Sequence, residues 1–213
     1  MSVKLSSPEA FRVAKYLLEN PTTYQRQIHR DIGTSIGWIN KVVNSLYEAR
    51  IVKKGKWRRL ELEDPYALLD LISYQRPLQR LIQEAIRLEI TDVRPAEERL
   101  RGICNKNQLN YALTVFSGLS RYLAYYITFP TIHTYINDPK QLSQRLPKGR
   151  GPITIEILKP DYPDILRNAK DVNNFHVADS TQVVIDLFCL GSAGRDAATK
   201  LYEKIENEQQ QVL

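Results

Sequence analysis

The strongest constraint on the fold is a short basic run in the first third of the sequence. Five of the seven residues from Lys53 to Arg59 are Lys or Arg, and Gly55 lies within the run. Ile51 and Val52 precede it, and residues 60–62 alternate apolar and polar as a half-buried strand does. Two short strands joined by a glycine-containing turn form a β-hairpin. The pattern therefore predicts a hairpin with a positively charged tip, although an ordinary solvent-exposed surface can also contain such a run.

Three helical segments precede the hairpin. The first begins at a Ser7 cap followed by proline and ends before Pro21. Thr23 is expected to cap a second, short helix that ends near Gly33, and Thr34-Ser35 is expected to cap the third. The apolar residues of the third helix recur at helical spacing and are expected to be buried. They are Ile36, Ile39, Val43 and Leu46.

Three helices followed by a hairpin are typical of a winged helix-turn-helix domain. Such a domain binds DNA because a helix fits the major groove, while basic side chains of the hairpin, the wing, reach neighbouring phosphates. The candidate DNA-binding residues lie off the apolar stripe of the third helix and in the basic run. On the helix they are Ser35, Trp38, Asn40, Lys41 and Asn44, and on the wing they are Lys53, Lys54, Lys56, Trp57, Arg58 and Arg59.

These residues also have structural interpretations. Asn and Lys occur on any solvent-facing helix surface, Trp38 could pack against the second helix, and Trp57 could pack across the hairpin strands. Some winged helices bind protein instead of nucleic acid. The charge distribution favours DNA, because residues 1–65 contain 12 Lys or Arg and 7 Asp or Glu, which gives +5 of the total charge of +6. Duplex DNA is the expected partner, with single-stranded DNA as the alternative.

Pro65 marks the expected end of the first domain, and residues 66–213 are expected to form a second. The pattern predicts helices at residues 66–76, 94–100, 108–119, 139–146, 161–168 with Asp161 as cap, and 194–209, and strands at 131–136, 153–158 and 175–178. Residues 78–93 fit either a strand or a helix. Strands that alternate with helices indicate a mixed α/β domain, so the expected fold class of the whole chain is α+β or α/β.

The second domain contains no recognisable catalytic pattern. Its histidines lack metal-ligand spacing, and Asp186 has no acidic partner two residues away with which to bind metal ions. The Gly191 to Arg195 segment resembles a phosphate-binding loop but is better explained as a turn at a helix start. We therefore expect neither an enzyme nor a metal or other cofactor. The two cysteines and the lack of a long apolar segment predict a cytoplasmic protein without membrane contact.

Several short motifs occur in a recognisable order after the winged helix. They are Leu68-Leu69-Asp70, Tyr111-Ala112-Leu113-Thr114, Tyr135-Ile136, Val184-Ile185-Asp186-Leu187 and Gly194-Arg195 before a final helix. Over most of its length the chain thus resembles the AbiEi-type antitoxin and transcriptional-regulator family of type IV toxin–antitoxin systems. The resemblance implies a repressor whose winged helix binds repeats upstream of its own operon. It also implies a nucleotidyltransferase toxin as the partner of the second domain.

Two further interpretations differ from a regulator. The 12 tyrosines together with Trp38 and Trp57 could stack on bases, which would suit a genome-maintenance protein that binds single strands or duplex ends and has no toxin partner. An enzyme with an unfamiliar α/β active site is the third interpretation. Winged-helix regulators often bind symmetric sites as dimers, so a homodimer is a possible state, but nothing in the sequence marks a dimer interface and the oligomeric state stays open.

Overall fold

The computed structural model describes residues 3–125, 127 and 129–211, with the side chains of Arg58, Gln210 and Gln211 outside the described set. Helices and two β-sheets are both present in this part of the chain, so the expected mixture of α and β structure is confirmed. The chain divides into two compact units, Met1–Pro77 and Leu78–Leu213, called here the N-terminal unit and the C-terminal unit.

The N-terminal unit combines helices with a small antiparallel sheet. Its elements in chain order are α1 (Pro8–Glu19), β1 (Thr22–Tyr24), α2 (Gln25–Ile32), α3 (Ile36–Glu48), β2 (Val52–Lys54), β3 (Arg59–Leu62) and α4 (Pro65–Gln75). The strand order is β1-β3-β2, and β3 pairs antiparallel with both neighbours. The predicted hairpin is therefore present as β2 and β3, joined through Gly55 and a short 3₁₀ turn at Lys56–Arg58.

Local chemistry explains how these helices begin and end. The Ser35 hydroxyl accepts a hydrogen bond from the Trp38 N–H at 3.3 Å, which caps α3 as expected. Gly33 ends α2 in the left-handed conformation, with φ of 71°, which glycine adopts without a steric penalty. Buried apolar side chains from α1, α2, α3 and β3 contribute to the core. They include Phe11, Leu17, Leu18, Ile28, Ile39, Val43, Leu46 and Leu60.

Two expectations for the N-terminal unit are wrong. Thr23 does not cap α2. It lies in β1, where it is buried and pairs with Leu60 of β3, so its backbone belongs to the sheet and not to the start of the helix. Ile36 does not join the buried stripe of α3 and is 42% exposed. It occupies the first turn of the helix, whereas the buried positions begin at Ile39 and include Val42.

The boundary between the units lies after Pro77 instead of after Pro65. The reason is that α4 packs on the N-terminal unit. The Gln75 side chain accepts a hydrogen bond from the Leu5 N–H at 2.6 Å, and the Arg76 guanidinium lies 4.8 Å from the Phe11 ring centroid.

The C-terminal unit is built on a mixed six-stranded sheet. Its elements in chain order are β4 (Ile82–Arg87), α5 (Val93–Lys106), β5 (Tyr111–Thr114), α6 (Val115–Tyr122), β6 (Thr131–Ile136), α7 (Pro139–Ser143), β7 (Thr154–Leu158), α8 (Asp164–Arg167), β8 (Lys170–Val172), β9 (Phe175–Val177), α9 (Ser180–Cys189) and α10 (Ser192–Gln211). The strand order is β4-β7-β6-β5-β9-β8. The β6–β7 and β5–β9 pairs are parallel, and the remaining pairs are antiparallel.

The helix expected at residues 108–119 is wrong for its first half. Residues Tyr111–Thr114 form the central strand β5, buried along its whole length between β6 and β9. The chain then turns sharply into α6 at Val115, whose φ is 53°, an unusual value for a β-branched residue. A continuous apolar run hides such a change of structure, because a buried strand and a buried helix look alike in sequence.

Smaller differences occur elsewhere in the C-terminal unit. Residues 78–93, whose pattern was compatible with either a strand or a helix, form a 3₁₀ turn, the strand β4 and the start of α5. Asp161 does not cap α8, which begins three residues later at Asp164. The turn expected at Gly191 is present between α9 and α10. Gly194 is needed there, because a Cβ atom on it would lie 2.1 Å from the Leu187 carbonyl oxygen.

Candidate nucleic-acid interface

The exposed face of α3 carries four of the candidate residues. Ile39 and Val43 anchor the opposite face in the core, so Trp38, Asn40 and Lys41 are directed to solvent. The Lys41 ammonium lies 5.2 Å from the centroid of the Trp38 ring, which is 40% exposed. Trp38 is therefore neither buried nor isolated. Asn44, the fourth candidate, lies further along the same exposed face.

The hairpin presents the basic run to solvent. Gly55 donates its N–H to the Arg59 carbonyl at 2.8 Å, which closes the turn. The turn places Trp57 in the left-handed region, with φ of 61° and ψ of 26°, and leaves its side chain 91% exposed. Trp57 therefore does not pack across the hairpin strands. Lys53, Lys54, Lys56 and Arg59 are exposed as well, whereas the Arg58 side chain lies outside the described residues.

The hairpin cations differ in how firmly they are held. Lys53 lies 3.4 Å from Glu63 and Arg59 lies 3.2 Å from Glu61, both in exposed ion pairs. Exposed pairs contribute only about 0–1 kcal/mol, so a phosphate can replace the carboxylate. Lys56 has no ion-pair partner among the described residues.

One contact links the hairpin to α3. The Lys54 ammonium donates a 2.6 Å hydrogen bond to Asn44 Oδ1 and lies 4.6 Å from the Tyr47 ring centroid. Lys54 is thereby held beside the exposed face of α3. The helix candidates and the hairpin candidates consequently form one continuous surface.

An open groove of about 1310 Å³ runs between α2, α3 and the hairpin. Its walls carry cations on both sides, with Arg26 and Arg30 from α2 facing Lys54 from β2. The lining residues are Tyr24, Gln25, Arg26, Gln27, Arg30, Ile36, Asn40, Lys54, Gly55, Trp57 and Leu60. Cationic walls together with amide and aromatic side chains suit a polyanion that also has flat rings.

Sequence reasoning missed the α2 wall of this groove. The α2 residues Gln25, Arg26, Gln27 and Arg30, and Tyr24 of β1 just before them, were not among the candidates, although Arg26 and Arg30 are four residues apart and therefore share one helix face. That spacing was the available signal. It could not show that this face lies opposite the hairpin, because the position of α2 depends on tertiary packing.

Arg30 is oriented by its neighbour Asp31. The Tyr16 hydroxyl donates to Asp31 Oδ2 at 2.6 Å, and Arg30 Nε donates to Asp31 Oδ1 at 2.9 Å. The hydrogen bond from Tyr16, followed by that from Arg30, lowers the pKa of the Asp31 carboxyl. The carboxylate thus positions the Arg30 guanidinium beside the groove.

The structure does not bring every candidate to the groove. Asn40, Lys54 and Trp57 line it, and Asn44 reaches it through Lys54. Trp38 and Lys41 contact each other beside it. Ser35 has its hydroxyl engaged in capping α3.

The C-terminal unit contains a hydrogen-bond network in its interior. The fully buried Asp186 accepts hydrogen bonds from Thr114 Oγ1 at 2.6 Å, from the Tyr135 hydroxyl at 2.9 Å and from Gln182 Nε2 at 3.0 Å. The donors come from β5, β6 and α9. The network therefore fixes α9 against the sheet and leaves Asp186 without access to solvent.

A buried ion pair joins α5 and α6. Glu97 on α5 pairs with Arg121 on α6, whose guanidinium also lies 4.1 Å from the centroid of the Phe175 ring. Burial raises the pKa of the Glu97 carboxyl, and the charge of Arg121 offsets part of that effect. Burial also raises the pKa of the Cys104 thiol to about 12, which disfavours its thiolate form.

Comparisons with protein-family models, curated proteins and solved structures returned no match to this chain. Among the described residues, no three His, Cys, Asp or Glu side chains are grouped closely enough to hold a metal ion. None of the helices in the described part of the chain has the length and apolar character needed to cross a membrane.

Proposed function

We propose that the protein is a duplex DNA-binding regulator whose N-terminal unit is a winged helix-turn-helix domain. In this proposal α3 is the recognition helix and the β2–β3 hairpin is the wing. The observation that carries the proposal is the groove between α2, α3 and the hairpin, whose two walls are lined by Arg26, Arg30 and Lys54. Cations on facing walls match the phosphates of a nucleic-acid backbone.

The dimensions of B-DNA explain why a groove is useful here. The backbone of each strand forms a ridge that separates the major groove from the minor groove. With α3 in the major groove, which is about 12 Å wide, that ridge would lie in the groove between α2, α3 and the hairpin. Arg26 and Arg30 would then contact its phosphates from one side, and Lys54 from the other.

The residues on the exposed face of α3 would have two roles: contacting base edges and positioning the wing. Asn40 lines the groove, and its amide can form two hydrogen bonds to an adenine edge. Asn44 holds Lys54 through its Oδ1 atom, so it would position the wing as much as read a base. The remaining wing cations would neutralise phosphates without regard to sequence.

The regulatory role and the toxin partner rest on the resemblance to AbiEi-type antitoxins. If the resemblance reflects function, the C-terminal unit would bind a nucleotidyltransferase toxin. Co-expression with the product of an adjacent nucleotidyltransferase gene should then yield a complex that purifies together. A stable toxin-like product that never co-purifies with this chain would contradict that part of the proposal.

A titration tests the DNA-binding part. The full chain is titrated against the duplex upstream of its own gene, a random duplex and a random single strand, each at two salt concentrations. We expect the tightest binding to the upstream duplex and a steep loss of affinity with salt. Tighter binding to single strands of any sequence would overturn the regulator and favour the alternative role at single strands or duplex ends.

A further inference from the structure

Trp57 is the most exposed of the large hydrophobic side chains in the described chain, at 91%. Tyr24, which lines the same groove, is half as exposed, at 45%. An indole with so little contact contributes almost nothing to the packing of the fold. Its position at the tip of a basic hairpin therefore needs another explanation.

The backbone at Trp57 makes the choice of residue more unusual. Its φ of 61° lies in the left-handed region, where glycine or asparagine is the common residue and a bulky aromatic is rare. The 2.8 Å hydrogen bond from the Gly55 N–H to the Arg59 carbonyl closes this turn. Strained backbone retained at an exposed side chain is a recognised feature of binding sites.

We propose that Trp57 is a wedge that partly enters the base stack of a DNA duplex from the minor groove and bends the duplex. This inference rests on the proposed function. With α3 in the major groove and the strand backbone between Arg26 and Lys54, the tip of the hairpin would lie beside the minor groove of the same duplex. Trp57 is in the turn at that tip and also lines the groove that would hold the backbone.

The chemistry of the side chain fits this role. An indole is flat and apolar, so it can replace part of the stacking that is lost when two base pairs separate. Apolar wedges in the minor groove kink DNA by about 20–90°. Lys54 and Lys56 flank the tip and would hold the phosphates on either side of the kink. Steps that unstack easily, such as TA and CA, are therefore the expected position of the wedge.

The test measures bending and stacking separately from binding. The full chain is added to duplexes that carry a fluorescence donor and acceptor at their two ends, and affinity is followed by anisotropy. The wild type should shorten the end-to-end distance. Trp57→Gly should abolish the bend and weaken binding about tenfold, whereas Trp57→Phe should keep most of both. In a Trp38→Phe protein, in which Trp57 is the single tryptophan, duplex should quench the indole emission.

Controls distinguish the wedge from a folding defect and from the proposed function. Trp57→Gly places glycine where φ is positive, so the midpoint temperature of its thermal unfolding should be no lower than that of the wild type. Tyr74→Ala removes another exposed aromatic of the N-terminal unit, 86% exposed and outside the groove, and should leave the bend unchanged. Duplex binding by Trp57→Gly with an unchanged bend would overturn the wedge and leave the proposed function intact. A wild type that binds no duplex would overturn the proposed function and the wedge with it.

Discussion

The charged clusters described for the two units lie in different environments. In the N-terminal unit, the cations of the hairpin and α2 lie at the surface around an open groove. In the C-terminal unit, Asp186 and Glu97 are buried and bonded to partners from other elements. The contrast teaches that a polar residue indicates a binding site only where it is exposed and its contacts within the protein are weak. Buried networks instead specify how helices pack on a sheet.

The largest effect is expected when one partner of a buried ion pair is removed. Arg121→Ala should lower the free energy of unfolding by about 3 kcal/mol, because Glu97 would lose its cation while remaining buried. Urea unfolding of the full chain measures this change. Arg101→Ala is the matched control, since Arg101 also lies against Phe175, at 4.8 Å, but it should cost much less. Equal losses in the two variants would show that the ion pair adds nothing.

The reverse pattern is expected for the hairpin. Changing Lys53, Lys54, Lys56, Arg58 and Arg59 together to Ala should weaken duplex binding on the order of 100-fold on every sequence and flatten the salt dependence. The free energy of unfolding should change little, because the described side chains of this set are exposed. Anisotropy at several salt concentrations, beside urea unfolding, checks both. Unchanged binding would remove the wing from the mechanism.

A smaller and sequence-dependent effect is expected from α3. Asn40→Ala should cost about 1–3 kcal/mol on the preferred duplex and little on a random one, because a base contact is lost and phosphate contacts remain. Competition between the two duplexes measures the difference. An equal loss on both would mean that Asn40 only positions the backbone.

The smallest expected effect is the pH dependence of the C-terminal unit. Burial raises the pKa of Glu97 above its ordinary value of 4.5, so the folded state holds the proton more tightly than the unfolded state. The resulting stability is fully present below pH 4.5 and is lost as the pH rises through the raised pKa. The free energy of unfolding of Glu97→Gln should therefore vary less over that range than that of the wild type. Identical pH profiles from urea unfolding would contradict this account of Glu97.

The same contrast explains how much could be predicted from the sequence. Local signals worked for the hairpin around Gly55 and for the Ser35 cap, because short-range chemistry determines both. They failed at residues 111–114, where a buried strand and a buried helix have the same apolar pattern. They also missed Arg26 and Arg30, because only tertiary packing places α2 opposite the hairpin.

One measurement tests most directly whether the groove is the DNA site. The double charge reversal Arg26→Glu, Lys54→Glu changes the facing walls of the groove, and Arg94→Glu, Arg99→Glu makes the same change in net charge on the exposed surface of α5. Duplex affinity is measured for both variants and the wild type across a range of salt concentrations. The account predicts that the groove variant loses on the order of 100-fold in affinity and much of its salt dependence, while the α5 variant stays close to the wild type. Equal losses in the two variants, or no loss in the groove variant, would contradict it.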